Sequence, residues 1–546
     1  MNPIRIVAYV LCFFCSLNMV SQEESWYYLR ASSPDLNLAF DQAQDRLDYT
    51  GEDVKLKAAL QGATIYDFKK TMRSHDPKQA DRMYFVRSDD AKLLDRLLTT
   101  TEHLFVWGRK LTADEMKIYE PNDYGLTSTI GDNLGMQADL SYLDFLGLPK
   151  AWYYTTGNPE MVIGISDANV DTIDADFKGK TRVMRRSSLS NGHGISTSAN
   201  AAAQGDNAHG IPGVCYDCGI YGTSYGDFRL FRNLVNLSAA GVNVINCSWS
   251  STRKYESGKE IIDSLFRAGT IIIGAGGNKS WKVTKGEVIY YPAGFDPVIS
   301  VAAVMYKHPT VEGNIGISDK GDYYANDIRG YVGRSLGFPA NDTLRAPKVW
   351  PISTSNLNDQ VDILAPAVGL LSYGKKVLND TLYYSRFQTT SGAAPLVSGT
   401  VALMRSLYPC LPVTEIEPLL KVTAINIDHL QGNQRFAGKY GAGMLQTGAA
   451  VEMVYKLYNP NEVAVISKQR FNRWHFPLRA LSKRVEIEDQ KFTESSSLDL
   501  VARKQIVLKP GTYLRPNREG WTRLSIDPTL AQECELQLRD PSILEN

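Results

Sequence analysis

The sequence predicts an α/β protein built on a parallel sheet with helices on both faces, preceded by a small α+β domain and followed by a small β module. Three observations lead there. Near-continuous apolar runs, Met161–Ile165, Val242–Asn246, Thr270–Gly274 and Pro297–Val301, alternate with helical segments, which is the pattern of strands buried on both faces. Upstream, short aromatic runs alternate with amphipathic stretches, and beyond about Pro460 the chain breaks into short alternating pieces. The length of 546 residues also exceeds what one hydrophobic core grows around, so several domains are expected.

Composition narrows the function classes. Apolar residues make up 43% and charged ones 22%, as in an ordinary folded chain rather than a disordered one. Lys plus Arg equals Asp plus Glu at 59 each, so no global field steers the protein to nucleic acid or anionic lipid.

The first element, residues 1–21, reads as a secretory signal. Arg5 supplies positive charge, an apolar run follows from Ile6 to Leu17, and small residues lie near Ser21. A membrane anchor is the alternative, but the run is shorter than the roughly 20 apolar residues a span needs, and no later stretch is longer, so no integral span is expected. The expected location is secreted or cell-surface. With Cys12 and Cys15 lost in the signal, Cys215, Cys218, Cys247, Cys410 and Cys534 remain. An odd number leaves at least one free or paired between chains. Cys215-Tyr-Asp-Cys218 is a lone CxxC, too little for a closed zinc site, and reads as a local disulfide or two half-buried thiols.

Residues 22–118 form the second element, patterned strand, helix, strand, helix, strand. Trp26–Arg30 and Met83–Arg87 are strand-like, and Asp90–Leu98 carries leucines at helical spacing behind an Asp cap. The Gly-, Asn- and Asp-rich stretch from Pro121 to about Ser141 reads as a linker. The main domain spans 119–457. The last, 458–546, has strand-like pieces at Val485–Glu488, Leu498–Val501, Gln505–Leu508 and Trp521–Ile526, with a turn at Pro510-Gly511; an all-β accessory module is expected.

Chemistry gathers in the main domain, where functional side chains are expected beyond the carboxyl ends of parallel strands. Asp167 follows the run Met161–Ile165, in Gly-Ile-Ser-Asp167-Ala-Asn-Val-Asp. His193 lies in Gly192-His193-Gly194, ahead of the small-residue run Ile195–Ala203. Ser391 opens Ser391-Gly392-Ala393-Ala394-Pro395 at the positive end of a predicted helix. A serine hydroxyl is a poor nucleophile until a base takes its proton, and the imidazolium so formed needs a buried anion. Asn278, after Gly274-Ala275-Gly276-Gly277, ends another strand, where a side-chain amide can donate to a developing oxyanion. Each residue alone has a bland structural reading; their order and spacing together do not.

On these segments the chain resembles the subtilisin-like serine peptidases, the subtilases. Val162–Phe177 is similar to their Asp motif, Gly192–Ala203 to their His motif, Ala275–Asn278 to their oxyanion motif and Thr389–Gly399 to their Ser motif. Gly213-Val214, Asn246–Trp249, Tyr291–Ala293, Val361–Pro366 and Lys439–Gly443 add support in the same order, over roughly residues 145 to 455.

The resemblance implies a seven-stranded parallel sheet and an exported endopeptidase that passes through an acyl-enzyme on Ser391. His193 would be general base and acid, Asp167 its orienting anion, and Asn278 part of the oxyanion hole. Ser248, Trp249 and Ser250, with Gly276 and Gly277, would hold the backbone of a protein or peptide substrate added as a strand. No cofactor is required. Asp176 and Asn207, with the carbonyls of His209 and Ile211, would match a calcium loop; a solvated loop is the alternative.

The 22–118 domain resembles a propeptide, an inhibitor released by cutting near Ile118–Asp123, against a permanent accessory domain. Four positions depart from the family pattern: Thr389 for Gly, Ala168 for Thr, Ser196 for His and Asn169 for Gly. Thr389 and Ala168 motivate a rival, a catalytically silent subtilase-fold protein that binds peptides or assists assembly.

Overall fold

The computed structural model describes residues 24–71, 82–124, 140–189, 191–279, 287–351, 355–375 and 382–544. The signal segment and most of the Gly-rich linker lie outside them. Two compact units divide the chain, one drawn from residues up to 68 with 84–111, the other from 69–83 and 112 onward.

The N-terminal sheet, nearly all of it in the first unit, is made of β1 (Ser25–Ala31), β2 (Phe40–Ala43), β3 (Arg46–Tyr49), β4 (Ile65–Thr71), β5 (Met83–Ser88) and β6 (Phe105–Lys110), in sheet order β2-β3-β4-β5-β1-β6. Helices Val54–Leu60 and Leu93–Thr100 bury Leu56, Ala59, Leu93 and Leu97. The antiparallel hairpin β2–β3 was not expected; its short, half-exposed strands carry too little apolar alternation to be read. The second helix also starts later than expected. Lys92 is its cap, and the Asp90 carboxylate accepts from Lys92 N at 2.8 Å in the turn before it.

The second unit is organised by a seven-stranded parallel sheet. Its strands are β7 (Val162–Ser166), β8 (Thr181–Val183), β9 (Gly219–Thr223), β10 (Val244–Cys247), β11 (Ile271–Ala275), β12 (Ile299–Val304) and β13 (Ile363–Pro366). The order is β13-β12-β11-β10-β7-β9-β8, with every pair parallel. β10, β11 and β12 are buried throughout, which is why their sequences read as continuous apolar runs. β10 starts two residues after its apolar run because Val242 N closes the preceding helix by donating to Leu237 O at 3.1 Å.

Two helices matter most for the site, His193–Ala202 and Thr390–Leu407. They pack directly on one another. A Cβ on Gly399 would stand 2.5 Å from the Val214 side chain and 2.8 Å from Ala201 O, so only glycine permits this approach.

The C-terminal module is all-β, but its strands are parallel and wound as a three-sided solenoid. The first coil is β14 (Val463–Ser467), β15 (Arg470–Phe471) and β16 (His475–Ala480); the second is β17 (Arg484–Glu488), β18 (Lys491–Glu494) and β19 (Ser497–Ala502). The third is β20 (Ile506–Leu508), β21 (Tyr513–Pro516) and β22 (Thr522–Ile526). Each side is a three-stranded sheet made of one strand per coil. Like residues stack along the axis: Phe471 is in register with Phe492, Leu478 with Leu500 and Ala480 with Ala502.

The tail returns from the solenoid to the sheet domain. Cys534 is disulfide-bonded to Cys410, Gln537 N donates to Leu407 O and Arg539 N to Tyr154 O, both at 2.8 Å. Cys534→Ser is expected to cost about 2–4 kcal/mol of stability, since the bridge closes a long loop in the unfolded chain. Urea unfolding of oxidised protein reads this, and equal midpoints for the two proteins would refute it.

Candidate active site

β7 ends at Ser166, so Asp167 projects from the carboxyl end of a central strand and is fully buried. The helix His193–Ala202 begins at the histidine itself, behind Gly192 at φ 79°. A Cβ on Gly194 would lie 2.4 Å from Ala168 O, so a glycine after the histidine is what lets this helix end reach the Asp167 loop.

His193 Nδ1 and Asp167 Oδ1 are 2.7 Å apart. Because the carboxylate is the acceptor, the proton between them belongs to Nδ1, which leaves Nε2 able to act as a base. The same Oδ1 accepts from Ala168 N at 2.6 Å and from the Tyr225 hydroxyl at 3.0 Å, and Oδ2 accepts from Thr197 Oγ1 at 3.2 Å. Burial pulls the His193 pKa down, but the hydrogen bond and charge of Asp167 outweigh it and hold it above the ordinary imidazole value.

Ser391 is the second residue of the helix Thr390–Leu407 and is 8% exposed. Its hydroxyl donates to Ser248 O at 3.3 Å, while Ser248 Oγ donates to Ser391 O at 3.0 Å. Asn246 completes this lock between β10 and the serine helix, donating to Ser248 Oγ at 2.9 Å and accepting from Ser398 Oγ at 3.0 Å. The serine hydroxyl is thus engaged by a backbone carbonyl.

Asn278 is exposed at the end of the β11 loop. Its Oδ1 accepts from Thr390 N at 3.0 Å and Thr390 Oγ1 at 2.7 Å. A backbone N–H can only donate, so the amide oxygen must face Thr390 and Nδ2 is the end turned away from it. Nearby, Gly276 N donates to Val301 O at 2.8 Å, and Gly277, at φ 99°, accepts from Asn356 N at 2.7 Å.

Trp249 and Ser250 follow Ser248 beyond β10 and are half-buried. The Trp249 indole N–H donates to Ser166 O at 2.8 Å. Its ring meets Phe228 edge-on at 5.0 Å and Tyr225 at 6.3 Å, forming an aromatic wall beside the Asp167 strand. The next residue, Ser251, bridges antiparallel to Tyr291.

Thr389 caps the serine helix at φ 76°, ψ 179°. This region is essentially reserved for glycine, and a β-branched side chain held there stores roughly 1–3 kcal/mol. Thr389→Gly is expected to raise stability by about 1 kcal/mol after the added freedom of the unfolded glycine is subtracted. Thermal melting checks this; a lower midpoint would mean that Thr389 is held by contacts worth more than its strain.

The proposed calcium residues do come together, as a hydrogen-bonded loop. Asp176 is buried; its Oδ1 accepts from Asn207 Nδ2 at 2.8 Å, and its Oδ2 from Ile211 N at 3.3 Å and from the Tyr373 hydroxyl. Asn207 Oδ1 in turn accepts from His209 N at 3.0 Å. Burial pushes the Asp176 pKa up to about 6 against these donors, which pull it down. Ligand-capable atoms of Asp174, Asp176 and His209 lie within 4.8 Å of one another. In this arrangement the Asp176 and Asn207 oxygens each accept a hydrogen bond, so an ion bound here would share the Asp176 carboxylate with Asn207 and Tyr373 or displace them from it.

Of the two readings for Cys215 and Cys218, the structure has the disulfide. Among the described residues Cys247, at the end of β10, is the free cysteine, and it is buried. Tyr225, Thr197 and Thr390 were not singled out from the sequence. Thr197 and Thr390 lie inside quoted motifs, whereas Tyr225 sits in a loop with no motif of its own.

The Subtilase family model matches residues 158–443. Fervidolysin from Fervidobacterium pennivorans is 26% identical over 372 residues, 63% of this chain and 48% of its own length. Subtilisin DY from Bacillus licheniformis is 25% identical over 303 residues, 53% of this chain and 90% of its own. The crystal structure of fervidolysin, described as a keratinolytic enzyme related to subtilisin, covers 79% of this chain and 61% of its own at 18% identity and a TM-score of 0.43. The chain thus spans about half the length of fervidolysin.

Proposed function

Because the chain belongs to the subtilase family, a family of serine proteases that hydrolyse peptide bonds, we propose that it is an exported endopeptidase acting through an acyl-enzyme on Ser391. The observation that carries this reading is the buried Asp167–His193 pair at 2.7 Å, with Ser391 at the start of a helix against the same strand ends. Nε2 of His193 takes the Ser391 proton as Oγ attacks the peptide carbonyl carbon. The same proton then passes to the leaving amine, and water repeats the cycle to release the acid. Asn278 Nδ2 and the positive end of the serine helix stabilise the oxyanion. Substrate backbone lies along Ser248, Trp249 and Ser250 on one side and Gly276 and Gly277 on the other.

Export rests on the N-terminal charge and apolar run. Among the described residues no helix is long and apolar enough to cross a membrane. The 22–118 domain is read as propeptide and inhibitor; N-terminal sequencing of secreted wild type and Ser391→Ala decides, because cutting in both would refute self-processing. We further propose a structural calcium ion at Asp176, Asn207 and the His209 and Ile211 carbonyls, outside the reaction itself. Equal melting temperatures with and without chelator would exclude it.

Thr389 and the engagement of the Ser391 hydroxyl by Ser248 O favour the second reading, a silent scaffold that binds peptides. Fluorophosphonate labelling separates the two. An enzyme labels on Ser391 and loses the label in His193→Ala; a scaffold labels in neither protein.

A further inference from the structure

The Asp167 carboxylate has a donor from outside every motif. Tyr225 lies two residues beyond the end of β9, half-buried, and its hydroxyl donates to Asp167 Oδ1 at 3.0 Å, the oxygen that also serves His193 Nδ1 at 2.7 Å. Its ring rests edge-on against Trp249, whose indole is tied to Ser166 O, so the phenol is anchored to the strand it serves. The neighbouring residue 168 is alanine and brings only a backbone N–H.

We propose that Tyr225 is a positioning residue for the hydrolytic reaction: its hydroxyl fixes the rotation of the Asp167 carboxylate and shares Oδ1 with the His193 imidazole. The inference rests on the proposed function. A carboxylate torsion is broad and roughly two-fold by itself. Here Tyr225 from the β9 loop and the Ala168 N–H both donate to Oδ1, holding that oxygen toward the imidazole, while the Thr197 hydroxyl divides its single proton between Oδ2 and the His193 carbonyl. An oxygen already accepting a hydroxyl is also a weaker acceptor for the imidazolium N–H, so Tyr225 moderates the upward pull of Asp167 on His193.

Among the described residues, the titratable groups facing Asp167 are His193 from its helix, Tyr225 from the β9 loop and Cys247 from β10. Burial, followed by the Asp167 charge, pushes both the phenol and the thiol up, so both stay protonated where His193 titrates.

Tyr225→Phe removes one oxygen and keeps the ring. It is expected to lower kcat about tenfold, the loss of one hydrogen bond to a charged group, with KM for a peptide substrate unchanged. The acid limb of kcat/KM should move up by about half a pH unit. NMR titration of the His193 imidazole in Ser391→Ala, with and without Tyr225→Phe, reads the same displacement without turnover. An unmoved imidazole titration overturns the proposal. So does a change confined to KM, which would make Tyr225 part of the substrate cleft. A wild-type protein that neither cleaves nor labels would sink the hydrolytic reading instead, while the NMR titration would still judge Tyr225.

Discussion

Ser391→Ala is expected to lower kcat by about 10⁶, to the level that binding and the oxyanion donors supply without a nucleophile. The size follows from the site's construction. Ser391 is the hydroxyl at the start of an 18-residue helix buried along its whole length, and moving that helix would break the lock of Ser248, Asn246 and Ser398. The neighbouring Ser248 hydroxyl is committed to Ser391 O at 3.0 Å and cannot substitute. Folding should be nearly untouched, because the mutation removes one long hydrogen bond to Ser248 O worth about 1 kcal/mol. Cleavage of a casein or peptide-library substrate at the wild-type rate by Ser391→Ala would refute the assignment, whereas a collapsed melting curve would make the variant uninformative and call for fluorophosphonate titration of wild type.

Asp167→Asn is expected to lower kcat by about 10⁴ and to move the acid limb of kcat/KM to lower pH. The native His193 pKa is lifted by Asp167 against burial; with the charge gone, burial alone remains and pulls the value below the ordinary one. Activity needs the neutral base, so the limb follows the imidazole down even as the plateau falls. The Asn amide would also turn a donor toward Nδ1 or toward Tyr225 and Thr197, favouring the wrong tautomer. The linked stability effect has the opposite sense to a carboxylate's. A histidine whose pKa is raised by folding contributes stability below its unfolded value, and loses it as pH rises through the folded value. Asp167→Asn should therefore flatten the wild-type decline in stability across that window. A pH-independent difference in unfolding free energy would contradict it.

The parallel sheet was legible because its central strands are buried on both faces and so are apolar at nearly every position. The solenoid was legible only as strands. Its coils repeat at 21 and then 22 residues, from Val463 to Arg484 to Ile506, but the repeated positions are pairs such as Leu478 with Leu500, which resemble any strand interior. Parallel stacking is a property of how coils sit on one another, and alternation within one strand does not encode it. The hairpin Phe40–Ala43 with Arg46–Tyr49 was missed because its half-exposed residues need no apolar pattern.

By itself the sequence determined the sheet class and singled out the dispersed Asp, His, Ser and Asn as candidates for one site, since glycines and small residues around them leave their mark locally. Only the tertiary structure decided what holds those side chains. Tyr225 reaches Asp167 across 58 residues, Thr390 orients Asn278 across 112, and Cys410 bonds Cys534 across 124. The glycine-only backbone of Thr389 likewise appears only when the helix is seated. The physical reason is the range of the interaction. Backbone conformation and burial period act between near neighbours in sequence, whereas a hydrogen bond to a buried carboxylate depends on which distant loop the packed core carries to it.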